Sequence, residues 1–153
     1  MTPTLHATLL FIHLAAAIVW IGGMVFAHFV LRPAATQLLD PPLRLPLMAA
    51  ALGRFFRLVA VAVLAILASG GLLLAPVGMA QAPLGWHVML AIGGLMAAVF
   101  AWIVAVPYPA LRHAVAAGQW PVAAGALQRI RMLVAINMAL GTVAVAAAVL
   151  ARS

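Results

Sequence analysis

The chain has no cysteine, no lysine and no glutamate, and Asp40 is its one acid. The lack of cysteine excludes disulfides, thiolate metal centres and thiol chemistry. The lack of acids removes any membrane-embedded carboxylate, so proton-driven transport would need a titrating histidine instead. Charge of either sign is scarce: charged residues make up 6% of the 153 residues, against 69% hydrophobic ones. A water-soluble domain cannot be built this way, because its surface would be as apolar as its core. Strands of roughly ten alternating residues, the mark of a membrane β-barrel, are missing as well. The apolar runs are longer than the ~20 residues that a helix needs to cross a bilayer. The chain is read as one all-α transmembrane domain, residues 1–153, forming an integral membrane antiparallel four-helix bundle.

What charge there is lies in few places. The net charge of +7 comes from eight arginines and one aspartate. In a soluble protein this balance would point to nucleic acid; here the arginines gather beside the apolar runs, so topology explains them and no nucleic-acid partner is expected. Arg32, Arg44, Arg54 and Arg57 lie around the first link, and Arg112, Arg129 and Arg131 around the third. The second link, PVGMAQAPLG, and the N-terminal stretch have none. The positive-inside rule then places both termini in the periplasm of a bacterial inner (plasma) membrane, with Arg152 opposing weakly. Helices are expected over about 5–31, 52–75, 84–106 and 126–150. Thr4 is the expected cap of the first, and Arg32-Pro33 its end. Shorter helices are expected over roughly Pro46–Phe56, leading into the second span, and Ala110–Ala117. The first span lacks the charged start of a signal peptide and is too long for one, so it reads as a retained helix.

That first span, LHATLLFIHLAAAIVWIGGMVFAHFVL, carries His6, His13 and His28 with Trp20 and the pair Gly22–Gly23. His6, His13 and Trp20 are seven apart and share one helix face; the glycines fall just beyond it, where a neighbouring helix can approach. His13 lies ~12 Å below the outer end of the helix. A neutral imidazole in lipid needs partners for its nitrogens. Two roles stand open: a metal or haem ligand, or a helix-to-helix hydrogen bond to a backbone carbonyl, Ser69 or Asn137. His87, beside Trp86 at the start of the third helix, is the natural opposite number, although only ~5 Å deep. His6 is the other partner for it, and each also fits an interfacial histidine. His28 falls near Arg32, Arg54 and Arg57, where a second cofactor or propionate contact competes with a plain interfacial role. Trp20 either stacks on a cofactor or fills the core. Met24, Met89 and Met96 offer soft thioether ligands for copper, without an MxxM cluster, so core packing is their default.

Several stretches resemble the CopD-like copper resistance membrane family: the first helix through Arg32-Pro33, RFFRLVAVAVLAILASGG in the second, GWHVMLA at the start of the third, and RIRMLVAINMALG in the fourth. The resemblance implies a small stand-alone member linked to copper resistance or uptake. More distantly, the chain resembles the HemJ type of haem-binding protoporphyrinogen oxidase, in which a helix 1 histidine seven residues before a tryptophan ligates haem; His13 and Trp20 keep that spacing. The lysine after the third-helix histidine and the acid after the fourth-helix asparagine of that family are missing here, where Met89 and Met138 stand. These departures speak against porphyrinogen oxidation.

Three functions follow as expectations. The first is a b-type haem protein in which His13 and His87, with His6, Trp20 and His28 nearby, hold the cofactor and pass electrons between quinone and a periplasmic redox or copper partner. The second is a colourless copper transporter or resistance protein whose copper passes His6, His13 and methionines. The third is a structural or assembly protein. The paired glycines suit a homodimer as readily as tight packing within one chain.

Overall fold

The structure, a computed structural model, describes residues 1–150; Arg152, expected to weaken the charge asymmetry, lies outside them. Helix α1 (Pro3–Phe26) runs on through one π-helical turn (Ala27–Leu31) into α2 (Arg32–Leu38). Helix α3 spans Pro41–Leu74, α4 Leu84–Ala105, α5 Pro107–Ala116 and α6 Trp120–Leu150. Four helical stretches, Pro3–Leu38, Pro41–Leu74, Leu84–Ala116 and Trp120–Val149, are long and apolar enough to cross a membrane.

Prolines set where these helices start. Pro3, Pro41, Pro107 and Pro121 each stand in a first turn, where the missing N–H has no intrahelical partner to lose and φ is already helical. Helix α1 is capped by Thr2, not Thr4: the Thr2 hydroxyl accepts from the Leu5 N–H. The second span therefore begins at Pro41, well before residue 52, and the fourth at Trp120, before residue 126. Helix α1 also does not end at Arg32-Pro33. A proline ring clashes with the carbonyl four residues back, and the chain meets this by widening into the π turn just ahead of Pro33 instead of stopping. Between α4 and α5, Val106 leaves helical geometry (φ −122°, ψ −73°) ahead of Pro107. The turn before α6 closes on Gly118 at φ +66°, a conformation that favours glycine.

The helices pair in sequence order, α1 on α3 and α4 on α6, and α6 also packs on α5 and touches α1 and α3. On α1, His13 meets Ser69 and Gly70 of α3, whereas Gly23 meets Phe55, so the pair is antiparallel. Gly23 is a close approach: a Cβ there would overlap the Phe55 ring. Gly22 faces open space, so only one of the pair serves packing within the chain. The core is buried among Trp20, Met24, Phe56, Val59, Met96 and Ile130. An aromatic chain crosses it from α1 to α5: Trp20 on Phe100 (6.2 Å between centroids), Phe100 on Phe56 (6.0 Å), Phe56 on Tyr108 (5.2 Å), all edge to face. Helix α5, expected as a surface helix, is anchored by buried Leu111 and Ala114, with Arg112 over the Tyr108 ring.

Candidate functional site

The polar groups inside the bundle are few, and His13 has the most developed surroundings. Its ring lies against Gly70, where a Cβ would come within 3.2 Å of Cε1. Its Nδ1 is 3.0 Å from Ser69 Oγ. Ser69 itself is 2% exposed, and its hydroxyl points back along α3 to the Ala65 carbonyl, with the Ile66 carbonyl 3.3 Å away. The Ile66 carbonyl also faces the histidine.

Proton bookkeeping then fixes the tautomer. A serine has one hydroxyl proton, and carbonyl oxygens only accept. Ser69 donates to a carbonyl of its own helix, so Oγ can only accept from His13. The proton of the neutral ring sits on Nδ1, and Nε2 keeps its lone pair. Among the described residues Nε2 has no hydrogen-bond partner. An imidazole fixed by an Nδ1–H bond with Nε2 free is the arrangement that metal-ligating histidines adopt. The helix-to-helix bond to Ser69 and a ligand role, which stood as alternatives in the sequence, are therefore compatible: one nitrogen does each.

The other histidines lie elsewhere. His6 is exposed in the second turn of α1. His87 is half-buried, and its Nδ1 bonds to the Pro83 carbonyl of its own helix start at 3.3 Å. Helices α1 and α4 pack mainly on other partners, and among the described residues no three of His, Cys, Asp or Glu come together. Trp20 is buried in the core against Phe100. Met24 and Met96 are buried core residues, while Met89 is half-buried on α4. His28 sits in the π turn and lines a cleft with Arg32 and Arg131, not with Arg54 and Arg57, which are exposed. The latter pair was expected near His28 from its place at the start of the second helix; Arg131 of α6 stands there instead.

One buried polar residue had little weight in the sequence beyond its depth. Asn137 on α6 is 1% exposed; its Nδ2 donates to the Met96 carbonyl at 3.1 Å, and its Oδ1 has no partner. One turn on, Gly141 lies against Ile21 and Met96, so α1, α4 and α6 meet here.

Four apolar helices with an intramembrane histidine fit many membrane proteins. A comparison with known families decides among them: CopD, Copper resistance protein D, matches residues 49–151, about two thirds of the chain. The chain belongs to the CopD family. No curated protein and no solved structure matches it. The CopD match takes in most of α3 and all of α4 to α6, and so Ser69, Gly70, His87 and Asn137, whereas His13, His28 and Arg32 lie ahead of it on the first span. As a CopD protein the chain is a multi-pass membrane protein of the copper resistance class.

Proposed function

We propose that this CopD protein handles copper within the membrane, with His13 Nε2 as the nitrogen that meets the ion. The supporting observation is the Ser69 hydroxyl, which holds Nδ1–H and leaves Nε2 free. Imidazole is a suitable donor for copper in either common oxidation state, and neutral imidazole carries no charge penalty in lipid. The seven arginines within the described residues fall at the ends of the spans that meet around α2, α5 and the starts of α3 and α6. By the positive-inside rule this end is cytoplasmic, the N-terminus and the α3–α4 link are periplasmic, and His13 lies in the periplasmic half of an inner membrane. Copper arriving from the periplasm would meet His13 first among the deeper donors, with Met24 and Met96 further in.

A haem b is the second reading, and the same nitrogen favours it. Bound haem would supply one-electron redox chemistry, with quinone and a periplasmic redox or copper protein as partners. His13 would hold the iron by Nε2 and Ser69 would orient the ring. His87 is held in the same way, with Nδ1 on the Pro83 carbonyl of its own helix and Nε2 free, and would be the second ligand.

One experiment separates the two. Protein purified in detergent from cells supplied with both copper and haem is assayed for metal by mass spectrometry and for a Soret band. Copper bound in wild type, lost in His13→Ala and without a Soret band, supports the first reading. A Soret band that His13→Ala abolishes moves the assignment to haem. Copper and haem contents that His13→Ala leaves unchanged would overturn both.

A further inference from the structure

Beyond the end of α1, on the arginine-bearing side of the bundle, three arginines form no ion pair among the described residues. Arg32, Arg44 and Arg131 are half-buried, whereas Arg54, Arg57, Arg112 and Arg129 are exposed. The three come from different spans. Arg32 and Arg131 line one cleft together with His28, Met48, Leu52 and Ile130. His28 Nδ1 is buried there without a partner. The chain's one acid, Asp40, caps α3 through its backbone carbonyl.

Ordinary snorkelling to headgroups explains the exposed four. It does not explain why Arg32 and Arg131, from different spans, line the same cleft as a buried imidazole nitrogen that has no partner among the described residues. Two like charges brought to one cleft repel, and an unpaired buried imidazole nitrogen carries a desolvation cost. A single anion among them relieves both. His28 stands within the π turn and Arg32 directly after it.

We propose that this cleft is a specific binding site for a phosphate group, held by Arg32 and Arg131 with His28 as an additional donor. Guanidinium forks match phosphate oxygens in pairs. The rest of the lining, Met48, Leu52 and Ile130 among it, is apolar and lies where the spans leave the hydrocarbon, so an anionic phospholipid is the source that fits both halves of the cleft.

The test is thermal unfolding of the full chain in neutral detergent, titrated separately with phosphatidylglycerol, phosphatidylcholine and inorganic phosphate. The expected result is saturable stabilisation by phosphatidylglycerol, with the apparent affinity reduced roughly tenfold or more in Arg32→Gln/Arg131→Gln. Arg54→Gln/Arg129→Gln, which removes the same charge from exposed positions, should bind as wild type does. Stabilisation by inorganic phosphate with the same dependence on Arg32 and Arg131 would keep the site and make its source a free phosphate. Equal loss in both double variants, or equal stabilisation by phosphatidylcholine, would overturn it. Should the first double variant fail to fold, Arg32→Lys/Arg131→Lys keeps the charge but removes the forks, and weakened binding is expected. Wild-type binding that does not fall with added salt would also overturn the proposal.

Discussion

His13 Nδ1 lies 3.0 Å from Ser69 Oγ, and this is the one hydrogen bond between two side chains among the described residues. It joins α1 to α3 and sets which imidazole nitrogen is free. Its effects on stability and on ligand binding are separable, because serine bonds the backbone of its own helix with or without His13. Ser69→Ala should leave the bundle folded, since one interhelical hydrogen bond in a membrane contributes only about 0.6 kcal/mol. It should lower affinity for the metal at His13 by roughly 10- to 100-fold, the usual consequence of losing the group that orients a ligating histidine. Copper titration of the two proteins reads this directly. Unchanged affinity would mean that Nε2 is not the ligand.

Gly70 offers a second, independent handle on the same ring. A methyl group there would stand 3.2 Å from His13 Cε1, tighter than ordinary van der Waals contact, so the ring must tilt or α1 must shift. Gly71, the next residue, faces open space. Gly70→Ala should therefore weaken metal binding several-fold, with Gly71→Ala close to wild type. Both changes raise helix propensity similarly, so a difference between them isolates the ring contact. Equal behaviour of the two variants would show that the position of His13 is not set by Gly70.

The fold was legible because composition decides it: runs of apolar residues without charge have few alternatives to membrane helices. The third span begins at Leu84 as expected, but the second and fourth begin earlier than expected, and for one reason. Pro41, Pro107 and Pro121 fall outside the expected spans, whereas each stands in the first turn of a helix. Pro33 read as a terminator, and a single π turn carried the helix past it. The site shows the same division. Ser69 was legible as a partner for His13, since both are polar residues in apolar spans. The convergence of Arg32 with Arg131 was not, because it depends on how far before residue 126 the last helix begins and on the rotation that the π turn adds. Periodicity gives faces within a helix; it does not give the angle between helices.

Asn137 supplies a third test, this one of stability. Its amide donates across to the Met96 carbonyl on α4, at 1% exposure. Asn137→Ala removes that bond and opens a small cavity between α4 and α6, at a combined cost of about 1–2 kcal/mol. The orphaned Oδ1 limits the loss, because the variant also removes a buried acceptor that has no donor. Unfolding in mixed micelles measures the difference, and Thr142→Ala, at an exposed residue whose hydroxyl bonds only its own helix, is the control. A variant more stable than wild type would show that the unpaired carbonyl outweighs the interhelical bond.

Gly22 and Gly23 look alike in the sequence and differ in the structure. A side chain at Gly23 must overlap the Phe55 ring, and Phe55 is itself pressed towards Phe56 at 6.0 Å, within the core that holds α1 on α3. Gly23→Leu should therefore cost about 1–3 kcal/mol, the usual range for overpacking a filled contact, and should lower thermal stability in detergent. Gly22 is exposed with nothing within reach of an added Cβ, so Gly22→Leu should leave the stability of one chain unchanged. What Gly22 does retain is a smooth patch of helix on the lipid-facing side, which a second copy could use for close approach. The two variants then report different things. Gly23→Leu tests the α1–α3 contact within one chain, and stability equal to wild type would overturn the packing described above. Gly22→Leu tests association: a mass that falls from dimer to monomer in light scattering, with unchanged helicity, would place a homodimer interface on this face of α1, and a monomer in both proteins would leave the paired glycines to intrachain packing through Gly23 alone.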